Sequence, residues 1–184
     1  MEYLCWHRDR SDSEALREEL IEAHWSYMDR YAREMIARGP TFLPATETLT
    51  GSLHILDLPD AGTARAFAFD EPNHQAGVYR DVLLRRWTNQ LGRTMWDFPG
   101  GSEGDDRYFV LGLAPELPDG PSLELPAERD ELIAHGPLVS DDGLNWLGTA
   151  ALLRAPSPDA ARAVLAPHTY ADIEVHSWEF GGRR

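Results

Sequence analysis

Residues 2 to 9, with an alternating segment over Tyr3 to Cys5, read as a strand. The period then changes. Leu16, Leu20, His24, Met28, Tyr31 and Met35 recur at spacings of three and four, which is one face of a helix. Ser11 and Glu14 form a capping-box signature at its start, and Gly39-Pro40 is a stop signal at its end. A short extended piece leads to a strand near 51 to 57, rich in Leu and Ile. Asp60 can cap a second helix over 61 to 70, Glu71-Pro72-Asn73 breaks it, and a last strand runs from Val78 to Trp87. The same order returns further on: strand 107 to 114, short helix 126 to 135, strand 146 to 154, helix 158 to 166, strand 170 to 180.

The return is visible in the residues themselves. Ile36-Ala37-Arg38-Gly39-Pro40 recurs as Ile133-Ala134-His135-Gly136-Pro137. At that offset Gly51 matches Gly148, Leu56 matches Leu153, and Ala64-Arg65-Ala66 matches Ala161-Arg162-Ala163. After a small gap, Tyr79 and Trp87 match Tyr170 and Trp178, while Tyr3 pairs with Tyr108 if the first helix of the second copy is shorter. The expectation is an α+β chain of two tandem ferredoxin-like βαββαβ repeats packed as a pseudo-dimeric α+β barrel. Residues 1–90 form the first unit, 91–105 a linker, and 106–184 a degenerate second unit. Pro99-Gly100-Gly101-Ser102 makes that linker read as flexible, with Met95, Trp96 and Phe98 packing on the body of the protein.

Composition narrows the class. The chain has 184 residues, 42% of them hydrophobic, and six Trp, which fits a globular protein with a substantial core. A net charge of −14 weighs against nucleic acid, which binds clustered Lys and Arg. No stretch approaches the roughly 20 apolar residues of a membrane span, and the start has neither the basic region nor the apolar core of a signal peptide. Cys5 is the sole cysteine, so no internal disulfide forms and a cytoplasmic location is expected.

Two residues carry candidate acid–base chemistry. Asp9 ends the first strand, and His24 lies on the apolar line of the returning helix, facing the sheet. A buried carboxylate beside an imidazole fixes its tautomer and raises its pKa, as a general base near neutrality requires. The bland alternative is a satisfied core histidine with Asp9 as a turn residue. His7, Arg8, Ser52 and His54 are candidate substrate-binding residues on the strands of the first unit. His7 and Asp9 share a strand face, so a metal site with His24 and His54 is a further alternative, although no HExxH or CxxC spacing supports it. His74 falls in the break and reads as exposed. Cys5 reads as a core residue, and Trp6, Trp25, Trp87 and Trp178 read as core and barrel packing, with walling of an aromatic pocket as the alternative. The second unit lacks the pair, because its strand ends Leu113-Ala114-Pro115 and its first histidine, His135, stands at the Arg38 position. No flavin, nicotinamide or P-loop fingerprint is present.

The first 90 residues resemble the YCII-like proteins, a branch of the dimeric α+β barrel superfamily. The resemblance rests on Arg8-Asp9, Ala23-His24, Gly39-Pro40, Thr50-Gly51-Ser52, Ala76-Gly77-Val78-Tyr79 and Arg86-Trp87, in that order. It implies a pocket between sheet and helix holding an Asp–His pair, a barrel made by two units, and often no cofactor. It also implies lyase-like or isomerase-like steps on small, often aromatic or polyketide-like molecules. The expected function is therefore a cofactor-independent enzyme for an elimination, isomerisation or cyclisation, acting as a monomeric pseudo-dimer or a homodimer. A non-catalytic small-molecule binder and a cofactor-free oxygenase are the alternatives.

Overall fold

A computed structural model describes residues 1–100, 106–115, 130–165 and 170–182. In chain order these contain β1 (Glu2–Asp9), α1 (Glu14–Glu19), α2 (Ile21–Asp29), β2 (Met35–Phe42), β3 (Leu49–Asp57), α3 (Ala61–Phe69), α4 (Pro72–Gln75) and β4 (Tyr79–Trp87). There follow β5 (Arg107–Leu113), β6 (Leu132–Val139), β7 (Trp146–Arg154), α5 (Pro158–Arg162) and β8 (Asp172–Trp178). The strands close an antiparallel barrel in the order β1-β3-β2-β8-β5-β7-β6-β4.

Strand alternation divides the apolar residues between two faces. Leu4 and Trp6 of β1, Leu53 and Ile55 of β3, and Phe109 and Leu111 of β5 point into the barrel, where Trp87 and Trp178 also pack. Tyr3 and Cys5 point outward against Tyr27, Met28, Phe67 and Ala68 of the helices. Tyr3 to Trp6 of β1 are thus buried on both faces, which explains why this run is apolar without a break. Met95 and Phe98 plug the barrel end as expected, with Met95 taking the backbone N–H of Arg38 on its sulfur (3.3 Å).

The two halves pair in the same register. Tyr3 faces Leu56 and Arg8 faces Gly51 in the first, while Tyr108 faces Leu153 and Leu113 faces Gly148 in the second. Two short seams join them, Thr41–Phe42 against Ser177–Trp178 and Arg86–Trp87 against Leu138–Val139. The chain then crosses the partner strand alike at each. Gly181 N–H donates to Arg38 O (2.8 Å) at one seam, and Gln90 N–H donates to His135 O (3.0 Å) at the other. Gly39 and Gly136 make these crossings feasible. A Cβ on Gly39 would stand 1.8 Å from the carbonyl oxygen of Glu179, and one on Gly136 would stand 1.8 Å from that of Thr88.

Three expectations on the elements change. The helical line ends at Asp29, and Met35 to Phe42 form β2, so Gly39-Pro40 lies within a strand instead of stopping a helix. Likewise residues 132–135, expected in a helix, open β6, while 116–129 lie outside the described residues. The Ser11–Glu14 capping box is replaced by Ser13 at the N-cap, with its hydroxyl donating back to Arg10 O (2.8 Å). Asp60, by contrast, caps α3 as expected and accepts from Thr63 N–H (2.7 Å).

Candidate functional site

A pocket of about 260 Å³ opens between the outer face of the first sheet and the helices α1, α2 and α4. Arg17, Ile21, His24, Trp25 and Met28 form its helical wall, and Arg38, Ser52 and His54 its floor. The helical spacing that buries Met28 turns His24 to the same side, so the imidazole is mostly enclosed yet reaches the pocket.

The partner of His24 is Glu71. Nδ1–H of His24 donates to Oε1 of this wholly buried carboxylate at 2.6 Å. The N-cap position of α4 holds Glu71 in place, its other oxygen taking the His74 N–H at 2.8 Å. Burial pushes the Glu71 carboxyl up, but the bonds and charge of His24 and the His74 amide together hold it below the ordinary value. With Nδ1 committed, Nε2 is the open nitrogen of the ring.

Asp9, expected beside His24, is bonded instead to Arg17, whose Nη1 donates to it at 2.9 Å. The bulge of β1 between Arg8 and Asp9 turns the carboxylate to the start of α1. Nη2 of Arg17 donates to Ser52 Oγ at 2.8 Å, so Asp9 and Ser52 together fix the guanidinium at the pocket edge. Burial leaves the Asp9 carboxyl above its ordinary value even with Arg17 against it.

The other expected residues divide. His54 lines the pocket. His7 lies behind it, buried, with Nε2–H donating to the Ala68 carbonyl at 2.8 Å, and burial takes its pKa down to about 4. Arg8 points away to the mouth of the barrel, where it pairs with Asp81 and lies over the Trp6 ring. Neither residue borders this pocket. Among the described residues no three His, Cys, Asp or Glu side chains are grouped to hold a metal ion. Trp25 is 41% exposed and lines the pocket, the alternative role for the tryptophans, whereas Trp6, Trp87 and Trp178 are buried in packing.

Comparison with known proteins finds a family match for part of the chain. Residues 1–88 match the YCII-related domain family, and this part of the chain is similar to its members. No curated protein matches the chain. Among solved structures it is similar to 5-chloro-2-hydroxyhydroquinone dehydrochlorinase from Burkholderia phenoliruptrix AC1100 in complex with 2,5-dihydroxybenzoquinone. That match has 25% identity over 50% of this chain and 99% of the other, with a TM-score of 0.47. A monooxygenase-like protein from Lactobacillus acidophilus NCFM, described as putative, is 7% identical over 96% and 91% of the two chains (TM-score 0.43). Another so described, from Fusobacterium nucleatum subsp. nucleatum ATCC 25586, is 8% identical over 97% and 91% (TM-score 0.50), a likeness of fold across nearly the whole chain.

Outside residues 1–88 the corresponding register positions carry different residues. Gly112 stands where His7 stands, and the Tyr170 ring lies 2.6 Å from the place of its missing Cβ. Thr149 stands where Ser52 stands and accepts from the Tyr170 hydroxyl at 2.8 Å, while Ala151 replaces His54. Among the described residues, no helix is long and apolar enough to cross a membrane.

Glu71 and Arg17 are the functional residues that sequence reasoning missed. Proline is favoured at the first helical position, so Pro72 could have marked a helix start with Glu71 at its N-cap instead of a break. Arg17 lies seven residues before His24, two helical turns away on the same side.

Proposed function

We propose that the chain is an enzyme in which Nε2 of His24, oriented by Glu71, takes a proton from a small molecule in the pocket and returns it. The outcome is an elimination, isomerisation or cyclisation. The observation that carries this reading is the 2.6 Å bond from His24 to a carboxylate with no exposure of its own. It fixes the tautomer, leaves Nε2 bare, and stabilises the imidazolium formed when a proton arrives. Asp9 acts through Arg17, holding that cation at the edge of the site beside Ser52.

Residues 106–184 are, in this reading, a degenerate second copy that closes the barrel and carries no site. The matching registers, the paired seams and the filled positions at Gly112 and Ala151 support it.

The test is deuterium incorporation from solvent into a panel of small carbon acids, followed by NMR. His24→Gln keeps a donor for Glu71 but has no base. It should fold normally and lose exchange, and undiminished exchange in this variant would sink the proposal.

A further inference from the structure

The floor of the pocket holds a second imidazole of opposite character. His54 is 3% exposed, and its Nδ1 is enclosed without a hydrogen-bond partner. His7 of β1 and Phe67 of α3 meet its ring edge to face, at centroid distances of 5.8 and 5.5 Å. Besides burial, the groups that act on it most strongly are His7, His24 of α2, Arg17 of α1 and its cross-strand partner Arg38 of β2, each disfavouring a positive charge on the ring. A proton added here would be desolvated and repelled from each side, and the ring is held well below the ordinary histidine value, first by burial and then by these neighbours.

A neutral imidazole has one N–H to place. On Nδ1 it would be a buried donor without an acceptor, which costs more than an unmatched lone pair. The hydrogen therefore sits on Nε2, and the pocket bordered by His54 is where that donor finds an acceptor. The two rings, 6.1 Å apart between centroids, thus offer complementary atoms, a bare Nε2 on His24 and an Nε2–H on His54. The guanidinium groups of Arg17 and Arg38 line the same space.

We propose that His54 is a neutral hydrogen-bond donor to the oxygen of a small carbonyl substrate, and that His24 removes a proton from the carbon next to that carbonyl. This rests on the reading of His24 as the base. The C–H electron pair becomes the new C–C π bond, and the carbonyl π pair moves onto oxygen as an enolate bonded to His54. The enolate then re-forms the carbonyl in one of two ways: it expels a leaving group with its electron pair from the β carbon, the His24 proton passing to that group or to solvent, or, where the substrate carries a β,γ double bond, it takes the proton back from His24 at the γ carbon. No oxidant or reductant is consumed. A neutral donor suits this step better than a cation, because it strengthens its bond as the oxygen gains charge without giving up its proton.

The probe is 4-nitrophenolate, a stable aromatic oxyanion, compared with nitrobenzene, which has the same ring and nitro group without it. The native protein should bind the phenolate more tightly by about tenfold or more, the worth of one hydrogen bond to a charged oxygen. His54→Phe should erase that preference while keeping nitrobenzene affinity, and His24→Gln should keep it. In parallel, imidazole ¹⁵N shifts of the native protein should report His54 as the neutral Nε2–H tautomer, a reading that needs no variant to fold. Absence of the preference in the native protein, its survival in His54→Phe, or an Nδ1–H or doubly protonated His54 would overturn the proposal. A preference for phenolate in a protein that exchanges no carbon-bound hydrogen leaves the donor site standing and removes His24 as the base.

Discussion

Oε1 of Glu71 lies 2.6 Å from Nδ1 of His24, and the carboxylate has no exposure to solvent of its own. The two partners are unequal in consequence. Glu71→Gln should lower proton-transfer turnover by about 10²–10⁴-fold, because the amide no longer stabilises an imidazolium. His24→Ala leaves a buried carboxylate with only the His74 amide as partner, and should destabilise the fold by about 3 kcal/mol. His24→Gln should recover most of that loss. Urea denaturation of the three variants, beside their exchange rates, checks both statements.

Asp9 and Glu71 should separate kinetically. Asp9 reaches the site through Arg17, so Asp9→Asn should slow turnover far less than Glu71→Gln and act mainly on substrate affinity. Arg17→Met leaves Asp9 buried without its cation, and adding Asp9→Asn should restore part of the lost stability, with a coupling of about 1–3 kcal/mol in a double-mutant cycle.

Stability should fall as the solution is acidified from about pH 6.5. His7 and His135 are held near 4 from an ordinary 6.5, and His54 lies well below that value, in each case chiefly by burial. The unfolded chain therefore binds protons that the folded one refuses between these values, and each such histidine removes about 1.4 kcal/mol per pH unit within its window. Glu71 adds a second loss lower down: its folded pKa is depressed, so its contribution is full above the ordinary 4.5 and disappears as pH falls through the folded value. Denaturation from pH 7 to pH 4 should give this slope, and His135→Gln should flatten it by one proton.

The seams should tolerate no side chain. Gly39→Ala and Gly136→Ala each place a Cβ 1.8 Å from a backbone oxygen of the other half, and should cost about 3 kcal/mol or more. Gly182→Ala, with nothing within 4 Å, should leave the melting temperature unchanged.

The sequence carried most of the outline. The segment from Tyr3 to Cys5 found β1, Asp60 found α3, and the match of Trp87 with Trp178 found the two strands whose ends form the seams. What it hid was β2. Met35 continues the three-and-four spacing of Met28 and Tyr31, and Gly39-Pro40 reads locally as a helix stop. The deciding influences were distant, namely the ladder to β3 and the close passage of Glu179 over Gly39. The site was half legible for the same reason. Helical spacing aimed His24 inward, but which of two carboxylates it meets depends on how α4 folds back from α3, and no local spacing records that. His54 was placed as a lining residue, while its missing partner is a property of packing alone.

Both seams close inside a single chain. Barrel closure is therefore intramolecular, governed by the effective concentration that the connecting chain imposes and not by the amount of protein. Dilution therefore does not strip the site of its supporting wall. There is also a genetic side. In a barrel of two identical copies every substitution appears twice, once near the chemistry and once behind the symmetric position. Here a change at His54 or Trp25 appears once, so each half of the barrel can vary without altering the other.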